Sequence, residues 1–204
     1  MTNVFMHPLE VEFIKSFLKP DHTMLEWGSG GSTLFFSKLV KEYHSIEHDK
    51  TWHGDIQKNI EKESLDNVSY HFVPPSEAWE RPKGWRDIPN YRTPVSIFKD
   101  YIEVVDKIDK EFDVVLVDGR CRSHCAAKAL PYLKDDGILL FHDFYPRKKF
   151  GYHDVLCFYE NTNGLQDTPQ TIASFSKKFQ YMGDDTIRTI EEITKAYEEY
   201  NNEV

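Results

Sequence analysis

Phe112-Asp113-Val114-Val115-Leu116-Val117 is apolar at five of its six positions and stops at Asp118-Gly119-Arg120. A strand with one wet face alternates apolar and polar residues, whereas a continuous apolar run belongs to a strand covered on both faces. Covering both faces requires helices that cross over the sheet, and such crossovers join parallel strands. The segment therefore predicts an α/β fold, and the rest of the chain must supply alternating strands and helices.

It does. Leu9, Phe13, Ile14, Phe17 and Leu18 recur at helical spacing between His7 and Lys19, and Pro20-Asp21 ends the run. Strands are expected at Thr23–Trp27, Tyr43–Glu47 and Val68–Val73. Between them lie a helix through Leu34, Phe35, Leu39 and Val40 and a polar helix from Asp49 to about Lys62. Pro74 to Thr93 breaks the rhythm. It is rich in proline, carries Trp79, Trp85 and Tyr91, and reads as an ordered lid or substrate loop. Helices follow over Pro94–Lys110, Arg122–Leu133 and Tyr152–Tyr159, with a turn at Asp135-Asp136-Gly137 and strands at Ile138–Phe141 and Thr171–Ser176. Ile187, Ile190 and Ile193 share a phase in a terminal helix within 184–204. The expectation is one domain over 1–204, with a helix in 1–20 and a Rossmann-like, doubly wound, mostly parallel sheet.

Composition narrows the partners. The formal charge is −9 and no run of five basic residues occurs, which disfavours an extended nucleic acid. Three cysteines, Cys121, Cys125 and Cys157, make no disulfide framework and fit a reducing compartment. No secretory pattern opens the sequence, and no window reaches the roughly 18 apolar residues of a membrane span. A cytoplasmic protein without a membrane partner is the expectation. Oligomeric state is not legible.

Doubly wound sheets bind ligands beyond the carboxyl ends of their strands. The informative segments are therefore Glu26–Thr33, Glu47–Asp49, Asp118–Arg120 and His142–Tyr145. In the first, Gly28, Gly30 and Gly31 let the backbone turn tightly and approach a ligand. Ser29, Ser32 and Thr33 add hydroxyls, and the free amides of the following helix favour an anionic group. A dinucleotide fingerprint would place its third glycine where this chain has Thr33. Glu26 would also sit poorly beside a pyrophosphate, yet well beside the ammonium of an amino acid. Glu47 ends the next strand, where a carboxylate can accept from both hydroxyls of a ribose.

Glu26-x-Gly28-x-Gly30-Gly31-Ser32, with Glu47 closing the second strand, resembles the cofactor half of class I S-adenosylmethionine-dependent methyltransferases over about Met24 to Tyr159. The resemblance implies that Glu26 and the Gly28–Ser32 backbone hold the methionine moiety of S-adenosylmethionine (SAM). It implies that Glu47 holds the ribose and that His48 and Trp52 are candidates for adenine contact, Trp52 reading equally as a core aromatic on its helix.

Two apolar strands end abruptly in charge, one at Asp118 and one at His142-Asp143. Val117-Asp118-Gly119 followed by His142-Asp143-Phe144-Tyr145 is similar to the macrocin and catechol O-methyltransferase groups. In those groups, acids at these places hold Mg2+ against a substrate hydroxyl. Asp118 matches the first acid and Asp143 the second member of the pair, while His142 replaces the pair's first acid. Histidine is a softer ligand than Mg2+ prefers, so two mechanisms stay open. Asp118, Asp143 and His142 bind a divalent cation, towards which the reading leans, or His142 or Asp143 serves as a general base without one. The same alignment sets Arg120 beside the adenine edge and counts Asp118 and Gly119 among the cofactor-binding residues.

For the acceptor, Trp79, Trp85 and Tyr91 offer rings, and Arg81, Lys83, Arg86, Arg147, Lys148 and Lys149 offer positive charge. The expected reaction is O-methylation of a small molecule or glycan, with a sugar favoured. Two other readings share these residues: a cofactor- or partner-binding domain without catalysis, and an NAD-dependent sugar oxidoreductase.

Overall fold

The computed structural model describes residues 4–80, 93–147, 151–178 and 189–203. Seven strands form one sheet: β1 (Thr23–Trp27), β2 (Glu42–Glu47), β3 (Val68–Phe72), β4 (Phe112–Val117), β5 (Leu133–His142), β6 (Tyr159–Leu165) and β7 (Ile172–Lys177). Their order is β3-β2-β1-β4-β5-β7-β6. The first five run parallel, β7 is antiparallel to β5, and β6 is antiparallel to β7. The order reverses between β1 and β4, the switch point at which such sheets bind ligands.

β4 is covered on both faces, as its apolar run requires. Val115 and Val117 join Leu25, Trp27, Leu139 and Phe141 in one buried cluster. Val114 and Leu116 join Met24, Leu140, Phe36 and Ile14 in another. Successive residues point to opposite faces, so one strand feeds two cores. The second core is roofed by α1 (Pro8–Lys15) and α2 (Gly31–Phe36). The first is roofed by α4 (Lys99–Glu103), α5 (Val105–Ile108), α6 (Arg122–Lys128) and α8 (Ile190–Glu203), with Tyr101, Ala126, Ile193 and Tyr197 buried there. The polar helix α3 (Lys50–Lys62) buries only Ile56 and Ile60. Asp49 caps it by accepting from the Trp52 amide at 2.8 Å.

Several expectations change. The helix expected over Arg122–Leu133 ends at Lys128, and a 3-10 turn (Leu130–Tyr132) leads into β5 at Leu133. The turn at Asp135-Asp136-Gly137 lies inside β5 as a bulge: Leu133 to Ile138 spans the same length as Phe112 to Val114 on β4. The helix over Pro94–Lys110 is broken into a 3-10 turn (Ser96–Phe98), α4 and α5, and Asp109 closes it in the left-handed region at φ 51°. The segment expected as a helix from Tyr152 to Tyr159 is a 3-10 helix ending at Cys157, and Tyr159 opens β6. That strand was not expected, because Glu160-Asn161-Thr162-Asn163-Gly164 has little β preference and is tolerated only at a solvated edge. Most of the expected lid, including Trp85 and Tyr91, lies outside the described residues, as do Lys148, Lys149 and Ile187. Among the described residues no helix is long and apolar enough to cross a membrane.

Candidate functional site

The glycine turn is built by close backbone packing. Gly28 sits at φ +96°, and a Cβ there would lie 2.6 Å from the Cα and N of Gly119. The ends of β1 and β4 therefore meet with no side chain between them, tied further by the Asp118 amide donating to the Trp27 carbonyl at 2.9 Å. Beneath the turn Glu26 is fully buried. It accepts from the hydroxyls of Ser32, Thr33 (2.6 Å) and Ser45 (2.8 Å). Thr33 Oγ1 also accepts from the Gly30 amide at 3.0 Å, which explains a threonine where a dinucleotide fingerprint has glycine. Burial pushes the Glu26 carboxyl up to about 7 against the lowering effect of these hydroxyls. Glu26 thus braces the turn from below. A direct contact to a ligand's ammonium would have to reach a side chain that the fold buries completely.

Glu47 closes β2 with both oxygens engaged. Oε2 accepts from the Ser29 amide (3.2 Å) and hydroxyl (2.9 Å), and Oε1 accepts from the amides of His48 and Asp49, both at 2.8 Å. Burial alone would raise this carboxyl, but hydrogen bonds from His48, Asp49 and Ser29 hold it below the usual range. Ser29 is gripped from two further sides: Tyr70 OH lies 2.6 Å from its hydroxyl, and Trp52 Nε1 donates to its carbonyl at 2.7 Å. Trp52 therefore clamps the glycine turn from α3. Beyond Glu47, the His48 ring lies 5.4 Å from Phe98, 5.7 Å from Tyr101 and 6.3 Å from Trp79, centroid to centroid. The Arg120 guanidinium stands 5.2 Å from the centre of the Trp79 ring. The structure thus gathers His48 and Arg120, two residues expected near the adenine, around a tryptophan that the sequence assigned to the acceptor.

The rim at the ends of β4 and β5 is a network of paired charges. His142 Nδ1 lies 2.8 Å from Asp118 Oδ1, and Nε2 lies 3.3 Å from Glu10 Oε2. Glu10 comes from α1 and is fully buried. It also accepts from the Thr171 amide at 2.8 Å and the His7 amide at 3.0 Å. Burial would lower the His142 pKa, but the Asp118 charge and the bonds to Asp118 and Glu10 raise it to about 9. Glu10 is correspondingly lowered to about 2: its burial is outweighed by bonds from His142, Thr168 and His7. His142 is therefore an imidazolium donating to two carboxylates. It is badly placed to act as a base near neutral pH.

Arg122, the first residue of α6, completes the rim. Cys121 before it is in the left-handed region at φ 49°, which turns the chain back over the strand ends. The guanidinium lies 2.9 Å from Asp118 Oδ1 and 3.2 Å from Asp143 Oδ2. Its Nε donates to the Gly119 carbonyl at 3.1 Å, and Nη1 donates to the His142 carbonyl. Arg147 in the short helix α7 (Phe144–Arg147) adds a second contact to Asp143 Oδ2 at 3.2 Å. Asp143 itself is held at φ 60°, strained backbone of the kind that persists where surrounding contacts over-determine it. Its amide donates to the Thr171 carbonyl at 2.8 Å.

Asp118, His142 and Asp143 do converge, with potential ligand atoms all within 4.8 Å of one another. As folded they do not fit a divalent cation. Both His142 nitrogens face carboxylates, and a guanidinium already bridges the two aspartates. Sequence reasoning named these three and missed Glu10 and Arg122. Glu10 shows only as the acid of an N-terminal capping box with His7, and Arg122 only as a basic residue four places after Asp118.

A glycine turn after β1, an acid closing β2 and an ionised rim after β4 and β5, on a sheet of this order, define a class I SAM-dependent methyltransferase. Residues 25–144 match the family model described as a methyltransferase domain, and the chain belongs to that family. Among solved structures, a methyltransferase-like protein from Silicibacter pomeroyi is 25% identical, with a TM-score of 0.63 over 87% of this chain and 90% of that one. A Staphylococcus aureus protein assigned as a caffeoyl-CoA O-methyltransferase shares 15% identity, with a TM-score of 0.59 over 86% of each chain. A Streptococcus mutans protein assigned as a methyltransferase, in complex with S-adenosylhomocysteine (SAH), shares 13%, with a TM-score of 0.56 over 86% of this chain and 100% of that one. No curated protein matches the sequence.

Proposed function

We propose that the protein transfers the methyl group of SAM to a hydroxyl of a small molecule or glycan, with a sugar as the favoured acceptor. The observation that carries this reading is the join between Gly28 and Gly119, which sets the glycine turn directly beside the Asp118–Asp143 rim. Residues for holding a cofactor and residues for handling a proton then share one edge of the sheet.

In this reading the Gly28–Thr33 backbone, braced by Glu26, seats the methionine moiety. Gly30 leaves room for it, since a Cβ there would meet nothing nearer than Trp52 at 3.7 Å. Glu47 takes the ribose hydroxyls in place of the Ser29 hydroxyl that it now holds. His48, Gly119, Arg120 and Trp79 frame the adenine. When bound, SAM supplies a methyl group already made electrophilic by its sulfonium, so the protein's task is alignment and proton removal.

The base in this reading is a rim carboxylate. Asp118 receives His142 and Arg122 on Oδ1, and Asp143 receives both arginines on Oδ2. Burial would raise Asp118, but the charges of His142 and Arg122 hold it below the usual carboxylate range, so the base is Asp143, whose second oxygen carries none of these contacts among the described residues. His142 becomes a positioning residue. The sugar preference rests on likeness to the macrocin group and on the aromatic and basic residues of 74–93 and 146–153, and the paired, ionised rim favours oxygen acceptors over apolar ones.

Incubating the purified protein with methyl-labelled SAM and separate pools of sugars, nucleotide-sugars, catechols, protein and RNA tests the proposal. Label is expected in a carbohydrate pool. Label in protein or RNA with none in carbohydrate would overturn the acceptor assignment. SAH binding without transfer to any pool would favour a domain that binds cofactor without catalysis.

A further inference from the structure

We infer that Arg122 occupies the place at which the similar O-methyltransferase groups hold a divalent cation, so that the rim of this protein is complete without a metal. The inference rests on the methyl-transfer reading of that rim.

Arg122 is only 9% exposed and is fixed by four partners: the carbonyls of Gly119 and His142 and the carboxylates of Asp118 and Asp143. A guanidinium is planar and keeps its charge, and its donors lie in a rigid fork that can join two carboxylates without an added ion. Each rim carboxylate already has a nitrogen partner: Glu10 meets His142, Asp118 meets His142 and Arg122, and Asp143 meets Arg122 and Arg147.

A cation at this place would meet three obstacles. It would have to displace the guanidinium from both aspartates. It would also have to take His142 away from Glu10 or Asp118, since neither ring nitrogen is otherwise available. Arg147, on the other side of Asp143, would add a further like charge. The histidine that replaces an acid in the similar groups follows the same logic. With a fixed arginine in the centre, a third ligand carboxylate is not needed, and a cationic imidazole bridges Asp118 to Glu10 of α1.

The test is Mn2+ titration of the whole protein, followed by electron paramagnetic resonance, in the presence of SAH. Wild type is expected to hold no Mn2+ that depends on Asp143, and SAH affinity should stay within about two-fold when EDTA is added. Mn2+ that binds wild type and is lost in Asp143→Asn would overturn the inference. Arg122→Gln, checked first for a cooperative melt, is expected to gain Asp143-dependent Mn2+, and a folded Arg122→Gln that gains none would count against the assignment. Should that variant fail to fold, Arg122→Lys keeps a cation in place. It is expected to exclude Mn2+ as wild type does, and uptake by it would overturn the inference. Calorimetry with SAH alone separates the two readings: absence of SAH binding undermines methyl transfer, whereas SAH binding together with Asp143-dependent Mn2+ undermines only the role of Arg122.

Discussion

Glu10 and His142 are 132 positions apart in the chain and 3.3 Å apart in the fold. Through this contact the first helix is joined to the rim, and a buried carboxylate is matched to a buried imidazolium. Neither group is tolerable alone in such a site, because an unpaired buried charge costs several kcal/mol.

Stability should therefore fall at high pH. The folded pKa of His142, about 9, lies above its ordinary value of 6.5. Its contribution is fully present below 6.5 and is lost as pH rises through 9. On the order of 3 kcal/mol is at stake. Thermal melts between neutral pH and pH 10 should show this decline, and Glu10→Gln should both lower the melting point and flatten the slope. An unchanged slope in Glu10→Gln would show that the pair does not set the titration.

Glu26 should produce a second slope in a different window. Its folded pKa of about 7 lies above the ordinary 4.5, so the folded state holds the proton more tightly. Stability from this group is fully present below 4.5 and is lost as pH rises through 7. Glu26→Gln keeps acceptor capacity for the Ser32, Thr33 and Ser45 hydroxyls without the buried charge. Above pH 7 it should be at least as stable as wild type, whereas Glu26→Ala, which removes the shared acceptor of three buried hydroxyls, should lose about 2–4 kcal/mol. Urea melts at pH 8 would check the order.

How much of this was open to sequence reading depends on the range of the interaction. The two-sided burial of β4 is legible because Val114 to Val117 are apolar without a break, and parity alone sends them to two cores. Glu26, Glu47, Asp118 and Asp143 are legible because a strand end followed by charge or glycine is a local pattern. Glu10 is not, since its partner lies across the fold and its neighbours already explain it as a helix-capping acid. Nor is the bracing role of Glu26, which depends on Ser45 arriving from the adjacent strand. The Asp135-Asp136-Gly137 bulge and the polar strand β6 fail for a related reason. Their local preferences favour turns, and pairing with β4 and β7 overrides them.

Two glycines separate folding from binding. Gly28→Ala places a Cβ against the Gly119 backbone and forces a side chain into φ +96°, so it should destabilise the fold by about 2–4 kcal/mol. Gly30→Ala meets no atom closer than 3.7 Å and should melt close to wild type. Because it fills the approach to the turn, it should weaken SAH binding by about ten-fold or more. Equal losses of stability in the two variants would contradict the assignment of Gly30 to the ligand side.

Trp79 gives an optical handle. Its ring touches both His48 and Arg120, so adenine entering that frame must shift it. Tryptophan emission should change on SAH addition, and Trp79→Phe should remove most of the change while leaving binding within about five-fold. Trp52, which lies against the glycine turn, accounts for any remainder, so only an undiminished change in Trp79→Phe would place the adenine elsewhere.

The most direct test of the account is calorimetric titration with SAM, SAH and NAD of the wild type and of Glu47→Ala. The account expects wild type to bind SAM and SAH but not NAD, and Glu47→Ala to lose at least about 2 kcal/mol of SAH binding through the missing ribose contacts. Binding of NAD alone, or full SAH affinity in Glu47→Ala, would contradict it.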